Sequence, residues 1–151
     1  MAELIRKNGY VKSRFYVVLG TKNSGLRYLF EGLENVECYD FVSQAEMGGL
    51  LARCDVAITR AGTTSMAEQK LFGLKLVMVP IPRTHDQLLN AAYYERHFND
   101  LLVKQDESFL LSLPIALEKV QGWKKDRSGE NVEKEVSKAK EMICRSMFDF
   151  L

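Results

Sequence analysis

Two polar clusters carry most of the side chains in this sequence that could do chemistry. The first, residues 60–68 (RAGTTSMAE), places three consecutive hydroxyl side chains after a glycine, and the second, residues 81–90 (IPRTHDQLLN), is dense in hydrogen-bonding groups. Backbone amides at a helix start, together with hydroxyls, suit a phosphate. A dense set of donors and acceptors suits a hydroxyl-rich ligand such as a sugar. The two clusters therefore indicate a site for a phosphorylated or sugar-like ligand.

The apolar segments around these clusters predict a β-α-β unit. Residues 55–59 (DVAIT) are a short β-branched run, and residues 74–80 (LKLVMVP) are nearly unbroken apolar sequence, as a strand covered on both faces requires. Between them a helix from Thr63 to Gly73 would turn three apolar side chains inward: Met66, Leu71 and Phe72. Parallel sheets bind ligands at the carboxyl ends of their strands, so both clusters should lie at that edge.

A purely structural explanation competes with the functional one for each cluster. Ser65 and Glu68 have the spacing of a capping box, in which the hydroxyl accepts a backbone N–H and the glutamate reaches back. In the second cluster Asp86 stands where a residue could cap the following helix, within an otherwise ordinary solvated loop. Residue types and spacing alone leave both explanations open.

Three consecutive segments, TRAGTTSMAE, FGLKLVMVPIP and HDQLLNA, resemble the donor-binding half of MurG-type glycosyltransferases in order and spacing. Those enzymes move N-acetylglucosamine from UDP onto a lipid-linked acceptor. The resemblance runs from about residue 15 to the C-terminus. It implies an α/β fold with a three-layer α/β/α, Rossmann-like parallel sheet of about five strands, half of a GT-B fold. It also implies that residues 1–151 are a single donor-nucleotide-binding domain, truncated at its N-terminus.

The resemblance implies a set of residues that bind the UDP-sugar. They are Val42, Arg60, Gly62, Thr63, Thr64, Glu68, Gln87 and Asn90. Arg60 would lie beneath the glycine turn, with Thr63 and Thr64 next to the sugar and phosphate. The resemblance assigns no catalytic residue, no metal and no cofactor to this chain.

The remaining roles concern the nucleoside and the sugar. The backbone of Val42 would bond the uracil edge, although a strand end packed on the core is an equal alternative there. Glu68 would accept both ribose hydroxyls, a task suited to an ionised carboxylate. Gln87 would bond sugar hydroxyls and Asn90 would support its loop. Asp86-Gln87 stands where the family often has two glutamines, which leaves the sugar's identity open.

The other predicted elements complete an alternating pattern of strands and helices. The predicted strands cover residues 14–20, 35–42 and 101–104, and the predicted helices cover 1–10, 44–53, 86–98, 108–120 and 131–148. Residues 21–25 are predicted as a turn, and residues 26–33 as a short helix or irregular link.

Composition narrows the class of protein. The chain has 151 residues, 46% of them hydrophobic and 27% charged, which suits one globular domain. The net charge of +1, with acidic and basic residues interleaved, argues against nucleic-acid binding. Cys38, Cys54 and Cys144 are odd in number, widely spaced and embedded in apolar runs, which favours buried free thiols in a reducing compartment, and two histidines argue against a metal site. We find no membrane-spanning run and no signal peptide, and expect a cytoplasmic protein.

The resemblance also implies partners. The family's acceptor site and presumed base lie in an N-terminal domain that this chain lacks. We therefore expect transfer to a lipid-linked acceptor only with a separate N-terminal acceptor domain or partner chain, which would also place the protein at the inner face of the cytoplasmic membrane. Two alternatives are a non-catalytic nucleotide-sugar-binding or interaction module and a GT-B-like epimerase.

The family's donor domain also opens with a strand and a glycine-serine loop that holds the diphosphate, and neither precedes Met1 here. That strand would lie between the strands at residues 14–19 and 56–59. These two strands should either pair directly, at about 4.8 Å, or be completed by a second copy of the chain. Of the two, we expect the homodimer.

Overall fold

The computed structural model describes residues 1–8, 10 and 12–125. The chain divides into two compact units, Met1–Ala52 and Arg53–Leu151, and each contains its own parallel sheet. That the two units form one donor-binding domain stays a prediction. The predicted helix over residues 131–148 and the thiol of Cys144 lie outside the described residues.

The first unit alternates helices with two strands. Its elements are α1 (Ala2–Asn8), β1 (Phe15–Val18), a 3₁₀ helix (Thr21–Phe30), β2 (Val36–Tyr39) and α2 (Gln44–Arg53). β1 and β2 pair in parallel, with Phe15 opposite Val36 and Val18 opposite Tyr39. The 3₁₀ helix replaces the turn and short link that the sequence predicts for residues 21–33, and it buries no residue.

A capping box fixes the start of α2. The backbone N–H of Ser43 donates to Oε2 of Glu46 at 2.9 Å, and the N–H of Glu46 donates to Oγ of Ser43 at 3.4 Å. The Ser43 hydroxyl also donates to the carboxylate at 2.6 Å, and these bonds lower the pKa of Glu46. The sequence motif Ser-x-x-Glu was therefore present at residues 43–46, where the sequence analysis did not use it.

The second unit is built on three strands. Its elements are β3 (Val56–Thr59), α3 (Thr63–Leu71), β4 (Lys75–Met78), α4 (His85–Phe98), β5 (Leu101–Leu102) and α5 (Phe109–Val120). The sheet order is β3-β4-β5, and both pairings are parallel. The α/β class with parallel strands and alternating helices is confirmed. Of the five strands in the described residues, two pair within the first unit and three within the second.

The core of the second unit surrounds its central strand. Leu76, Val77 and Met78 of β4 are fully buried, as the apolar run predicts, and Met66 of α3 packs among the buried residues. Leu71, predicted to face inward, is 43% exposed, so that prediction is wrong. Leu71 is the last residue of α3, and the chain then reverses at Gly73, whose φ of +72° requires a residue without a Cβ.

The strands β1 and β3 belong to different units. β1 pairs with β2, and β3 pairs with β4. Direct pairing of the two strands stays a prediction. The alternative, a second copy of the chain that completes these edges, stays a prediction.

Two further features of the described residues bear on the sequence analysis. None of the helices over residues 1–8, 10 and 12–125 combines the length and apolar content needed to cross a bilayer. Cys38 and Cys54 take part in no disulfide, and both are half-buried rather than fully buried as expected. Burial raises the pKa of the Cys38 thiol, which keeps it protonated at neutral pH.

Candidate functional site

Arg60 ties together the three loops at the carboxyl edge of the second unit's sheet. Its position directly after β3 lets Nη1 donate to the carbonyl oxygen of Val79 at 3.1 Å, just beyond β4. The same Nη1 donates to Oε1 of Gln105 at 2.7 Å, in the loop that follows β5. One exposed guanidinium therefore fixes the relative positions of the loops in which the sequence predicts the site.

The loop after β3 turns directly into α3 at Gly62. Ala61 is fully buried, and Gly62 is the N-cap residue, with φ −78° and ψ 130°. The helix starts at Thr63, three residues earlier than a capping box with Ser65 as N-cap requires, and no side chain caps it. The capping-box interpretation of Ser65 and Glu68 is therefore wrong. Thr63 and Thr64 are exposed in the first turn of α3, where the backbone amides have no partner within the helix.

Asn90 connects this loop to α4. Its Nδ2 donates to the carbonyl oxygen of Ala61 at 3.2 Å and to Oγ1 of Thr63 at 3.1 Å. The first bond holds the backbone just before Gly62, and the second holds the Thr63 side chain just after it. Asn90 therefore supports the loop after β3, whereas the sequence analysis assigned its support to the loop that carries Gln87.

Gln87 orders the loop between β4 and α4. Its Oε1 accepts the backbone N–H of Ile81 at 3.0 Å, which leaves the amide NH₂ without a recorded partner among the described residues. In the same loop the hydroxyl of Thr84 donates to the carbonyl oxygen of Ile81, and Arg83 adopts a left-handed φ of +64°. Thr84 is the N-cap residue and Asp86 lies inside α4, so the interpretation of Asp86 as the helix cap is wrong.

Glu68 lies half-buried on α3, and its carboxylate has no hydrogen bond or ion pair to any described residue. Its neighbour Gln69 does have a partner, because Nε2 donates to Oγ1 of Thr59 at 3.3 Å, at the end of β3. An ionised carboxylate without a protein partner is able to accept two hydrogen bonds from a ligand diol. The geometry is therefore compatible with the predicted contact to a ribose.

A pocket of about 380 Å³ opens between the loops after β4 and β5. Its lining is Pro80, Ile81, Pro82, Arg83, Thr84, His85, Leu88, Lys104, Gln105 and Asp106. The prolines, Ile81 and Leu88 form an apolar wall, and the basic side chains stand around it. Gln105, which Arg60 bonds, is a residue that the sequence analysis missed. The available signal was its place two residues after the last apolar strand position, Val103.

Seven of the eight predicted ligand-binding residues lie in the second unit, and Val42 lies in the first. Val42 follows β2 and is half-buried, next to Phe41, which is 69% exposed. Asp40 pairs with Arg27 at 3.1 Å between Oδ2 and Nη2. The contact of Val42 with a base stays a prediction. Across the described ranges, no group of three His, Cys, Asp or Glu residues could hold a metal ion.

Comparison with known proteins identifies a family that matches most of this chain. Residues 10–145 match the family described as the glycosyltransferase family 28 C-terminal domain. The match covers all the residues of the candidate site.

Three curated relatives bear the same name, UDP-N-acetylglucosamine–N-acetylmuramyl-(pentapeptide) pyrophosphoryl-undecaprenol N-acetylglucosamine transferase. The chain is 35% identical to the protein from Prochlorococcus marinus over 89 residues, which are 56% of this chain and 25% of the relative. It is 34% identical to the one from Deinococcus radiodurans over 102 residues, 64% of this chain and 24% of the relative. It is 28% identical to the protein from Geobacillus thermodenitrificans over 106 residues, 68% of this chain and 29% of the relative. The matched part of the chain thus spans about a quarter of these relatives' length.

Proposed function

Because this chain belongs to the glycosyltransferase family 28 C-terminal domain family, we propose that it binds UDP-N-acetylglucosamine as the sugar donor of a transfer reaction. The transfer is of the inverting, metal-independent type, and its acceptor is a lipid-linked molecule. A separate N-terminal domain or partner chain carries the acceptor and the catalytic base, since we assign neither to this chain.

The clamped glycine turn before α3 is the observation that carries the proposal. Asn90 bonds residues on both sides of Gly62, and beyond the glycine's own chain neighbours no described atom stands within 4 Å of the place that a Cβ on Gly62 would occupy. The space beside Gly62, at the start of α3, is therefore open. Amides at a helix N-terminus stabilise an anion, and the hydroxyls of Thr63 and Thr64 add donors for the diphosphate.

The other site residues fit the rest of the donor. Glu68 accepts hydrogen bonds from the two ribose hydroxyls. Its carboxylate is available for them because it has no partner among the described residues. Gln87 presents its NH₂ group to the sugar hydroxyls, since its oxygen is engaged by Ile81. Val42 supplies backbone groups to the uracil.

The place of action follows from the acceptor. The relatives' name specifies an undecaprenol-linked acceptor, and such a substrate resides in a membrane. We propose that the chain works in the cytoplasm and reaches the inner membrane surface through its partner.

Calorimetric titration of the full chain with UDP-N-acetylglucosamine, UDP and uridine tests the proposal. We expect UDP-N-acetylglucosamine and UDP to bind with similar dissociation constants, in the micromolar to millimolar range, and uridine to bind at least about tenfold more weakly without the diphosphate contacts. Absence of heat with both nucleotides at millimolar concentration would contradict donor binding. That outcome would favour an interaction module that has kept the fold.

A further inference from the structure

Arg60 is held by two acceptors that use only one of its three side-chain nitrogens. Nη1 carries two N–H groups, and it donates to the carbonyl oxygen of Val79 at 3.1 Å and to Oε1 of Gln105 at 2.7 Å. Nε and Nη2 have no partner among the described residues. These two nitrogens form one edge of the guanidinium, whose parallel N–H groups fit two oxygens of a phosphate. Arg60 therefore offers a ligand one free edge of donors.

The positive charge of Arg60 is not paired within residues 1–8, 10 and 12–125. Its side chain takes part in no ion pair there. Asp106, the carboxylate next to Gln105 in sequence, accepts two hydrogen bonds from Ser108 and interacts with the charge of Lys104. An exposed and unpaired guanidinium attracts an anion. The charge and the free edge of Arg60 thus favour the same kind of ligand.

The two acceptors that hold Arg60 differ in kind. Val79 offers a backbone carbonyl, which any residue type supplies, and its own N–H donates to the carbonyl oxygen of Thr59 at 2.8 Å. Gln105 offers a side-chain oxygen, two residues after Val103, whose N–H donates to the carbonyl oxygen of Met78 at 2.9 Å. A guanidinium has no acceptor, so the amide must face it with its oxygen. Of these two contacts, only that with Gln105 depends on the residue type.

We propose that Gln105 is a positioning residue of the donor site, which holds Arg60 with its Nε–Nη2 edge free for the diphosphate. The inference rests on the proposed function for the identity of the ligand. A long side chain that is fixed before binding loses less conformational freedom when the ligand binds.

The neutrality of Gln105 is part of this role. A carboxylate at position 105 would also accept a hydrogen bond from Arg60, but it would pair with the positive charge and repel a phosphate. The amide oxygen holds the guanidinium and leaves its charge to the ligand. A glutamine therefore suits this position better than a glutamate does.

Titration of the full chain with UDP and with uridine tests the positioning role. Gln105→Met keeps the length of the side chain and removes the acceptor, so it should raise the dissociation constant for UDP about three- to tenfold. Uridine lacks the diphosphate, and its dissociation constant should stay the same. Gln121→Met, at an exposed glutamine just after α5, is the matched control and should leave both dissociation constants unchanged.

Gln105→Glu separates positioning of Arg60 from simple stabilisation of the loops. An ion pair with Arg60 would hold the loops at least as firmly as the amide does, so the unfolding temperature should stay the same or rise. The dissociation constant for UDP should nevertheless rise about tenfold, because the carboxylate pairs with the guanidinium and repels the diphosphate. A purely structural role for Gln105 predicts unchanged UDP affinity in this variant.

A double-variant cycle tests whether Gln105 acts through Arg60. Arg60→Met removes the guanidinium, so adding Gln105→Met to it should weaken UDP binding no further. An equal loss in the presence and absence of the guanidinium would show that Gln105 does not act through Arg60, which overturns the proposal.

Inorganic pyrophosphate separates a failure of this inference from a failure of the proposed function. It carries two phosphates without the nucleoside or the sugar, and the NMR signal of the Arg60 Nε–H group reports contact at the free edge. We expect pyrophosphate to shift this signal in the wild type and to shift it less, at the same concentration, in Gln105→Met.

The outcomes divide as follows between the two proposals. Unchanged UDP affinity in both Gln105→Met and Gln105→Glu overturns the positioning role and leaves the proposed function intact. If pyrophosphate shifts the Arg60 signal less in Gln105→Met than in the wild type, but UDP does not bind, the positioning role stands and the proposed function fails. An Arg60 signal that neither pyrophosphate nor UDP shifts in the wild type contradicts both.

Discussion

The two ends of the second unit's sheet use polar side chains in opposite ways. At the amino end, before β5, Asp100 is fully buried and accepts the N–H of Leu76 at 2.9 Å. Nζ of Lys70 lies 3.0 Å from Oδ2 and 3.3 Å from Oδ1 of Asp100, and only the contact with Oδ1 has hydrogen-bond geometry. At the carboxyl end Arg60 and Asn90 bond backbone carbonyls, while Glu68 and the hydroxyl of Thr64 lack recorded partners among the described residues.

This difference separates stability from binding. A buried, paired carboxylate adds nothing to recognition, because no ligand reaches it, but its loss leaves the Leu76 N–H unsatisfied and removes the counterion of Lys70, which keeps its bond to the carbonyl oxygen of Leu74. At the carboxyl end, each donor or acceptor without a protein partner is available to a ligand. We therefore expect substitutions at the amino end to change the free energy of unfolding and those at the carboxyl end to change ligand affinity.

The largest effect should come from Asp100→Ala. We expect it to lower the free energy of unfolding by about 3 kcal/mol, since it breaks a buried ion pair and leaves the Leu76 N–H unsatisfied. Denaturant unfolding measures this loss, with Glu95→Ala on the exposed surface of α4 as the control. Glu95→Ala should change the free energy of unfolding by no more than about 0.5 kcal/mol, as surface substitutions usually do. If Asp100→Ala lowers the free energy of unfolding by less than about 1 kcal/mol, the amino end is not the stabilising end.

A smaller effect is expected from Gly62→Ala at the carboxyl end. Its φ of −78° is allowed for alanine and no atom stands near the added Cβ, so unfolding should change by no more than about 1 kcal/mol. The methyl group would enter the space proposed for the diphosphate, and we expect UDP affinity to fall about tenfold. Gly49→Ala in α2, where a Cβ also meets open space, is the matched control. Unchanged UDP affinity for Gly62→Ala would place the diphosphate elsewhere.

The smallest effect is the pH dependence of stability that comes from Asp106, a stabilising carboxylate at the carboxyl end of the sheet. The hydroxyl and the backbone N–H of Ser108 donate to Oδ1 of Asp106 at 2.6 and 2.9 Å, and these bonds lower the pKa of Asp106. A lowered folded-state pKa gives stability that is present above the unfolded value, about 3.9, and is lost as pH falls through the folded value.

Thermal unfolding of Asp106→Asn and of the wild type between neutral pH and pH 3 would measure this contribution. We expect the difference in unfolding temperature between them to shrink below pH 4. A difference that is constant with pH would assign the effect to packing and not to the charge.

The sequence predicted the elements better than their ends. The apolar run over residues 74–80 correctly predicted the buried central strand, because burial on both faces leaves an unbroken pattern. The capping box at Ser65 was wrong since Gly62 starts α3 earlier, and a glycine N-cap leaves no side-chain signal. The division into two sheets was missed because the apolar pattern of a single strand does not specify which strand it pairs with.

The candidate site was partly predictable for a similar reason. Residue types in the two polar clusters pointed to the carboxyl edge, as parallel sheets require. The bonds of Arg60 to Val79 and Gln105 join three separate loops, so no local spacing could reveal them. The same holds for Asn90, which bonds a loop far from it in sequence.

A paired measurement on Glu68→Gln and Asp100→Asn tests most directly whether binding and stability occupy opposite ends of this sheet. Each variant would be titrated with UDP and unfolded in denaturant. We predict that Glu68→Gln weakens UDP binding by about 1–3 kcal/mol with little change in unfolding, because charged hydrogen bonds to the ribose become neutral ones. Asp100→Asn should do the reverse, with reduced stability and unchanged affinity. Loss of stability without loss of affinity in Glu68→Gln would contradict the account.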